Sequence, residues 1–350
     1  MLVAHLASHC RVKMVISISI NLTLQEGVKM KQYELNQMVK VLRELPVTQF
    51  QTIMTELKTV GNQSRVNQVI EGRSQVVKQC PHCQDSQINR HGYSKGLQRY
   101  RCNTCVKIFT ALTGTPLCGL HKREKWLEQA EALSEGRTLR RVAEQVGIHV
   151  STAHCWRHRF LSSPKSSQPE ILTGIAEADE TYFLLSFKGK RSDLGREPRK
   201  RGGKASQRGL STEQVPVLVA RDRSGVTLDC ILKGKDSESL TAALKPFIAK
   251  DVVLCSDGSK AFAKTAKDLA VEHHALNQSS GVRVEGPWHV QNINSYHSRL
   301  KGWVYHFRGV ATCYLDNYLG WFRTFDRNSL KRLSPVQWLT LALNRPCPAT

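Results

Sequence analysis

Two Cys-x-x-Cys pairs, CPHC at 80–83 and CNTC at 102–105, constrain this chain more than any other stretch. Each pair closes a tight turn that aims two thiolates at one point, and a hairpin of the eighteen intervening residues brings the two points together. The spacing predicts a tetrahedral zinc site on Cys80, Cys83, Cys102 and Cys105, within a zinc ribbon over 78–115. With four thiolates available, His82 and His91 are bystanders. Eleven cysteines scattered over 350 residues argue against a disulfide framework and for a reducing compartment. The hairpin is basic and aromatic, and its Arg99 and Arg101 are expected phosphate contacts.

That basic character extends along the chain. The 51 Lys and Arg against 29 Asp and Glu leave a net charge of +22, which implies a polyanionic partner, nucleic acid first. No basic amphipathic helix with a bulky apolar face and no apolar run of about 18 residues is present, so no membrane partner is expected. The N-terminal stretch MLVAHLASHCRVKMVISISINLTL is interrupted by His, Cys, Arg and Lys, and it does not read as a signal peptide. A cytoplasmic, nucleoid-associated protein is the expectation.

Around the ribbon the apolar period is helical. Met38, Val39, Leu42 and Leu45, then Phe50, Ile53, Met54 and Leu57, predict two short helices divided at Pro46, a helical cap or dimerising arm. Residues 61–76, rich in Gly, Asn, Gln and Ser, read as a linker, so 1–77 forms an N-terminal extension and short helical region. Over 120–162, Trp126, Ala130 and Leu133 pattern one helix ended by Gly136. The run TLRRVAEQVGIHVSTAHCWRHRF then gives a helix, a turn at Gly147 and a helix capped by Ser151. This is a helix-turn-helix, and Arg157 and Arg159 on its second helix are expected to reach DNA. SSPKSSQP at 162–169 reads as an interdomain linker.

Beyond it the period changes to that of a sheet. Strands are expected at 174–186, 214–220, 226–232, 251–255 and 270–276, and helices at 237–250 and 259–269, an α/β order. A loop with nine Lys or Arg, including Arg199, Lys200 and Arg201, joins the first two strands and suits a DNA backbone. Asp179 sits in the largely apolar strand GIAEADETYFLL, and Asp257 lies just past the apolar run within DVVLCSDGS, where α/β sheets present ligands. Carboxylates in such places are costly unless they are paired or bound to a cation. In WHVQNINSYHSRLK, Asn294 and Lys301 are seven residues apart and share a polar helix face with His297 and Ser298 between them, opposite Ile293, Tyr296 and Leu300.

Through CPHC and CNTC, the ADETYF strand, the SDGS turn and the His289–Lys301 segment, the chain resembles bacterial insertion-sequence transposases with an N-terminal zinc ribbon, a helix-turn-helix and an RNase H-like catalytic domain of the Asp-Asp-Glu or Asp-Asp-Asn type. The resemblance covers roughly 78–330. It implies a multi-domain α+β protein with a catalytic domain over 170–330 and a C-terminal tail over 331–350. It implies Asp179, Asp257 and Asn294 as ligands of Mg²⁺ or Mn²⁺, Lys301 as a DNA-phosphate or charge-stabilising group, and His289 as a group orienting the attacking oxygen. Two ions about 4 Å apart would serve in-line attack on a phosphodiester. The departure is Asn where Glu is usual, which removes one negative charge from the site. The implied partners are the element's terminal inverted repeats and target DNA, handled by a homodimer or larger assembly. The rival readings are a non-catalytic regulator built on the same DNA-binding modules and an inactive transposase remnant.

Overall fold

The computed structural model describes residues 30–73, 79–168, 171–190, 203–206, 211–276, 284–328 and 332–344. Arg199, Lys200 and Arg201 lie outside the described residues. The chain divides into two compact units, one of residues up to 113 with 121–126, the other of 114–120 and 127 onward.

In the first unit, α1 (Gln32–Glu44) and α2 (Val47–Gly72) are separated at Pro46, as expected. However, α2 runs on through the stretch read as a linker. Its polar, Gly-containing composition disfavours helix only weakly, and burial of Val66, Asn67 and Ile70 overrides it. This second half of α2 is braced on the ribbon: Glu71 accepts the Gln98 N–H at 2.9 Å, and Asn67 accepts from Arg123 at 2.8 Å. The ribbon is an antiparallel sheet of β1 (Ile88–Ser94), β2 (Leu97–Cys102) and β3 (Ile108–Thr110). Lys95 and Gly96 both adopt positive φ, the two-residue turn that matches strand twist.

The second unit takes in α3 (Trp126–Ser134) from Leu127 onward, then α4 (Leu139–Val146) and α5 (Val150–Phe160). Gly147, at φ 63°, makes the turn between the last two. His149 rather than Ser151 caps α5, its Nδ1 accepting the Ser151 N–H at 3.3 Å. The supposed linker is a short helix, α6 (Ser162–Ser166), with Ser163 and Pro164 buried. Two sets of contacts hold it in place. Arg323 donates to the carbonyls of Pro164, Lys165 and Ser167 at 3.1, 3.3 and 3.2 Å, and a Cβ on Gly320 would fall 2.6 Å from the Pro164 carbonyl oxygen.

Five strands follow: β4 (Ile175–Leu184), β5 (Gln214–Asp222), β6 (Thr227–Ile231), β7 (Val253–Ser256) and β8 (Glu272–Ala275). They lie in the order β6-β5-β4-β7-β8, the first two neighbour pairs antiparallel and the last two parallel. Helices α7 (Ser237–Leu244) and α8 (Lys260–Leu269) bury Leu240, Leu244 and Phe262 with Ala176, Ala178, Leu218 and Leu254. After the short pair β9 (Val284–Glu285) and β10 (Trp288–His289), α9 (Gln291–His306) and α10 (Leu315–Arg327) bury Ile293, Tyr296, Leu300, Leu319 and Phe322 with Val217, Val219 and Cys255. These are two clusters with the sheet between them, a mixed α/β domain of RNase H-like topology. The tail expected over 331–350 includes a helix, α11 (Pro335–Leu343), with Trp338, Leu339, Ala342 and Leu343 buried.

Arg323, 4% exposed, pairs with the fully desolvated Asp229, which also accepts the Tyr296 hydroxyl at 2.7 Å. Arg323→Leu would strand that carboxylate, and a loss of roughly 3–5 kcal/mol is expected in chemical denaturation.

Candidate active site

Register brings the two aspartates together. β4 and β7 run parallel, with Ile175, Ala176 and Glu177 opposite Val253, Leu254 and Cys255. Two residues further along, the two chains reach Asp179 and Asp257. Asp179 is held on the inner side of the sheet, its Oδ1 accepting the Glu180 N–H at 2.9 Å. Asp257 is exposed, and its Oδ1 accepts the Ser259 N–H at 3.1 Å, an Asx turn that leads into α8. Burial first, then the neighbouring Asp257 charge, pushes Asp179 up to about 6, and Lys301 opposes this.

The third wall is α9. Glu177, two residues before Asp179 and therefore on the same face of β4, is fully buried and accepts the Ile293 N–H at 2.9 Å. It fixes the first turn of α9 to the strand. One turn on, His297 Nδ1 stands 3.7 Å from Asp179 Oδ2, and Lys301 is close enough to lower the pKa of Asp179. Spacings of three and four residues line Asn294, His297 and Lys301 along that side of the helix, with Asn294 and Lys301 exposed. Burial, then Lys301, pushes His297 down to about 4, so it is neutral at physiological pH.

His289 has a different place from the one expected. Its ring lies against the Arg223 guanidinium at 3.0 and 3.1 Å and 3.3 Å from Glu177, and Arg223 also pairs with Glu177. Those contacts, with the Gln291 N–H donated to the ring Nδ1 at 3.3 Å, tie His289 to the start of α9. Glu177 and Arg223 were not singled out by the sequence. The available signal was the i, i+2 spacing of Glu177 and Asp179 on one strand face. Glu180 faces the opposite side, near Lys235 and Tyr182, yet burial, Asp179 and Asp257 push it up to about 7.

In the ribbon, the four cysteine sulfurs lie within 4.8 Å of one another, with Cys80–Cys105 at 3.6 Å and Cys83–Cys102 at 3.5 Å. Sulfurs at Zn–S bonds of about 2.3 Å stand about 3.8 Å apart in a tetrahedron, so the cluster fits zinc. Of the ribbon arginines, Arg101 is exposed and Arg99 half-buried.

On the helix-turn-helix, Arg157 is 1% exposed and is no DNA contact. Its guanidinium donates to the Arg137 carbonyl and lies 5.1 Å from the Trp321 ring and 5.5 Å from that of Phe307. Arg159 is exposed, but it is bonded to the carbonyls of Pro116 and Cys118. His158 stacks on Tyr314 at 3.7 Å.

Comparison with known proteins agrees with this layout. Residues 171–323 match the ISXO2-like transposase domain, and residues 120–164 a homeodomain-like domain. An uncharacterized protein in transposable element ISH50 of Halobacterium salinarum is 27% identical over 248 residues, covering 70% of this chain and 83% of that protein. A pre-cleavage Mos1 transpososome aligns at 12% identity over 63% of this chain and 79% of its own, and a Mos1 paired-end complex at 15% over 63% and 80%. Both have a TM-score of 0.21, too low for the likeness to bear on the fold. The four-cysteine cluster, the helix-turn-helix match and the match to the ISXO2-like transposase domain follow one another along the chain, an order similar to that of insertion-sequence DDE transposases.

Proposed function

We propose that this chain is a DNA transposase that binds the terminal repeats of its own element and uses Mg²⁺ or Mn²⁺ to cleave and join DNA strands. The observation that carries this reading is the level placement of Asp179 and Asp257 on parallel strands, with the Asn294–His297–Lys301 face of α9 beside them. The donors fit a hard cation: two carboxylates and an amide oxygen, with the burial and repulsion that raise Asp179 uncompensated by protein charge alone. When bound, the cation supplies Lewis-acid polarisation of the phosphodiester and activation of the attacking hydroxyl or water.

The chain's own residues do the rest. Asp179 and Asp257 would hold the ion, with Asn294 as a neutral third ligand. Lys301, exposed at the end of the polar stripe, attracts a DNA phosphate. Neutral His297 keeps positive charge away from Asp179, and Glu177 sets the distance of the whole face from the strand. Zinc in the Cys80, Cys83, Cys102 and Cys105 cluster is structural, and the basic ribbon and helix-turn-helix carry the DNA. The test is cleavage of DNA containing the element's ends by the purified chain with Mg²⁺ or Mn²⁺. Absence of any metal-dependent cleavage, with specific binding retained, favours the regulator.

Asn294 gives a sharper measurement. Asn294→Asp keeps an oxygen ligand and is expected to retain cleavage, whereas Asn294→Ala is expected to lose it. Equal activity in all three proteins makes Asn294 a bystander.

A further inference from the structure

Among the described residues, nothing buries the apolar face of the first half of α2. Every buried residue of this helix lies at or beyond Val66. Before that, Val47, Phe50, Ile53, Met54, Leu57 and Val60 recur at three- and four-residue spacings and share one face. Five of the six are between 39% and 70% exposed. The opposite face is a row of threonines, of which Thr52, Thr55 and Thr59 bond back to carbonyls four residues earlier at 2.8–2.9 Å.

Charge argues against DNA as the occupant. In a chain of net charge +22, the segment 47–60 carries one acid, Glu56, and one base, Lys58. A neutral apolar stripe flanked by threonine and glutamine offers nothing to phosphate and fits another apolar helix.

The order of the stripe identifies that helix. It is symmetric about the Ile53–Met54 bond: Val47 mirrors Val60, Phe50 mirrors Leu57, and Ile53 mirrors Met54. We propose that α2 pairs with α2 of a second copy of this chain, antiparallel about a two-fold axis at Ile53 and Met54. An isologous contact requires the patch to complement itself, and here each apolar residue meets its mirror. The charges also avoid conflict, since Glu56 meets the partner's Gln51 and Lys58 the partner's Gln49. Apolar surface of roughly 500 Å² per copy comes to about the 1,000 Å² total that a specific interface needs. Exposed Leu35 and Val39 on α1 extend the area available. The pairing supplies the second copy that joining two DNA ends calls for, but it does not depend on the transposase reading.

The experiment is the mass of the full chain in solution by light scattering, without DNA or Mg²⁺, so that its failure is separate from any failure of catalysis. A two-chain mass is expected, falling by half in Phe50→Asp/Leu57→Asp with zinc content retained. A one-chain mass for the unaltered protein, or a two-chain mass that survives both substitutions, overturns the proposal. Should the double variant fail to fold, oxidative cross-linking decides. Val47→Cys/Val60→Cys is expected to give linked dimers well above the unaltered protein, and Val47→Cys alone is not. Equal linking by Val47→Cys alone means a parallel pair, and no linking by either means no pair; both outcomes refute it.

Discussion

Replacing Asp257 by alanine is expected to lower cleavage of element-end DNA by about a thousandfold or more, roughly 4 kcal/mol in the barrier, with DNA binding unchanged. Asp257 is exposed at the end of β7, and its one described hydrogen bond is the local Asx turn, so its loss costs the fold little. Asp179→Ala should fall as far in activity. The two differ in a second readout, stability without divalent cation. Asp179 is held at about 6 against an ordinary value of 3.8. Between those two pH values the folded chain keeps a proton that the unfolded chain has released. Stability contributed by the protonated form is therefore present below about pH 4 and is lost as pH rises through 6. Asp179→Asn removes this penalty, on the order of 3 kcal/mol above pH 6, and flattens that part of the profile. An Asp179→Asn protein that melts earlier than its parent at pH 7, or an Asp257→Ala protein that cleaves as well as the unaltered chain, would sink the metal-site assignment.

The second large effect concerns zinc. The ribbon's buried cluster is Cys80, Cys102 and Phe109, with Ile88, Tyr100 and Cys105 only partly covered. So small a core does not hold three short strands by itself, and metal binding in such modules supplies on the order of 10 kcal/mol of folding free energy. Chelation, or Cys102→Ser, should therefore open the 79–113 segment to proteolysis and abolish its share of DNA binding. A purified chain that carries no zinc and whose four thiols titrate freely would falsify the site.

Local patterns were the legible part of this sequence. The two CxxC pairs, the β4 and β7 strands and the polar face of α9 each lie within a few residues, where period and spacing speak directly. What stayed hidden depends on partners far along the chain. Arg157 reads as a DNA contact because it stands on a recognition helix, and only Phe307 and Trp321, some 150 residues later, turn it inward. His289 reads as catalytic from its place before Asn294, and its contacts with Glu177 of β4 and with Arg223, in the turn after β5, are not visible in the local sequence. The polar second half of α2 and the Ser-Pro segment of α6 look like linkers because they carry Gly, Asn, Ser and Pro with few apolar residues, and packing made them helical. Asp179 is conspicuous as a carboxylate amid the apolar positions of β4, whereas the anchoring role of Glu177 depends on Arg223 and Ile293, which lie 46 and 116 residues away.

The inward Arg157 has a consequence for how such a chain can change over generations. Trp321 also donates to the Leu133 carbonyl at 3.1 Å, Ser134 to that of Leu333 at 2.7 Å, and Trp303 lies over Gly136. The helix-turn-helix is keyed into α9 and α10 by side chains from both parties, so exchanging it for another element's module would leave buried rings and a guanidinium without their mates. Changes tolerated without disturbing that packing are confined to exposed positions of α4 and α5, such as Arg140, Arg141, Ser151 and Cys155. The helix-turn-helix and the α/β domain are built to be kept together as one piece.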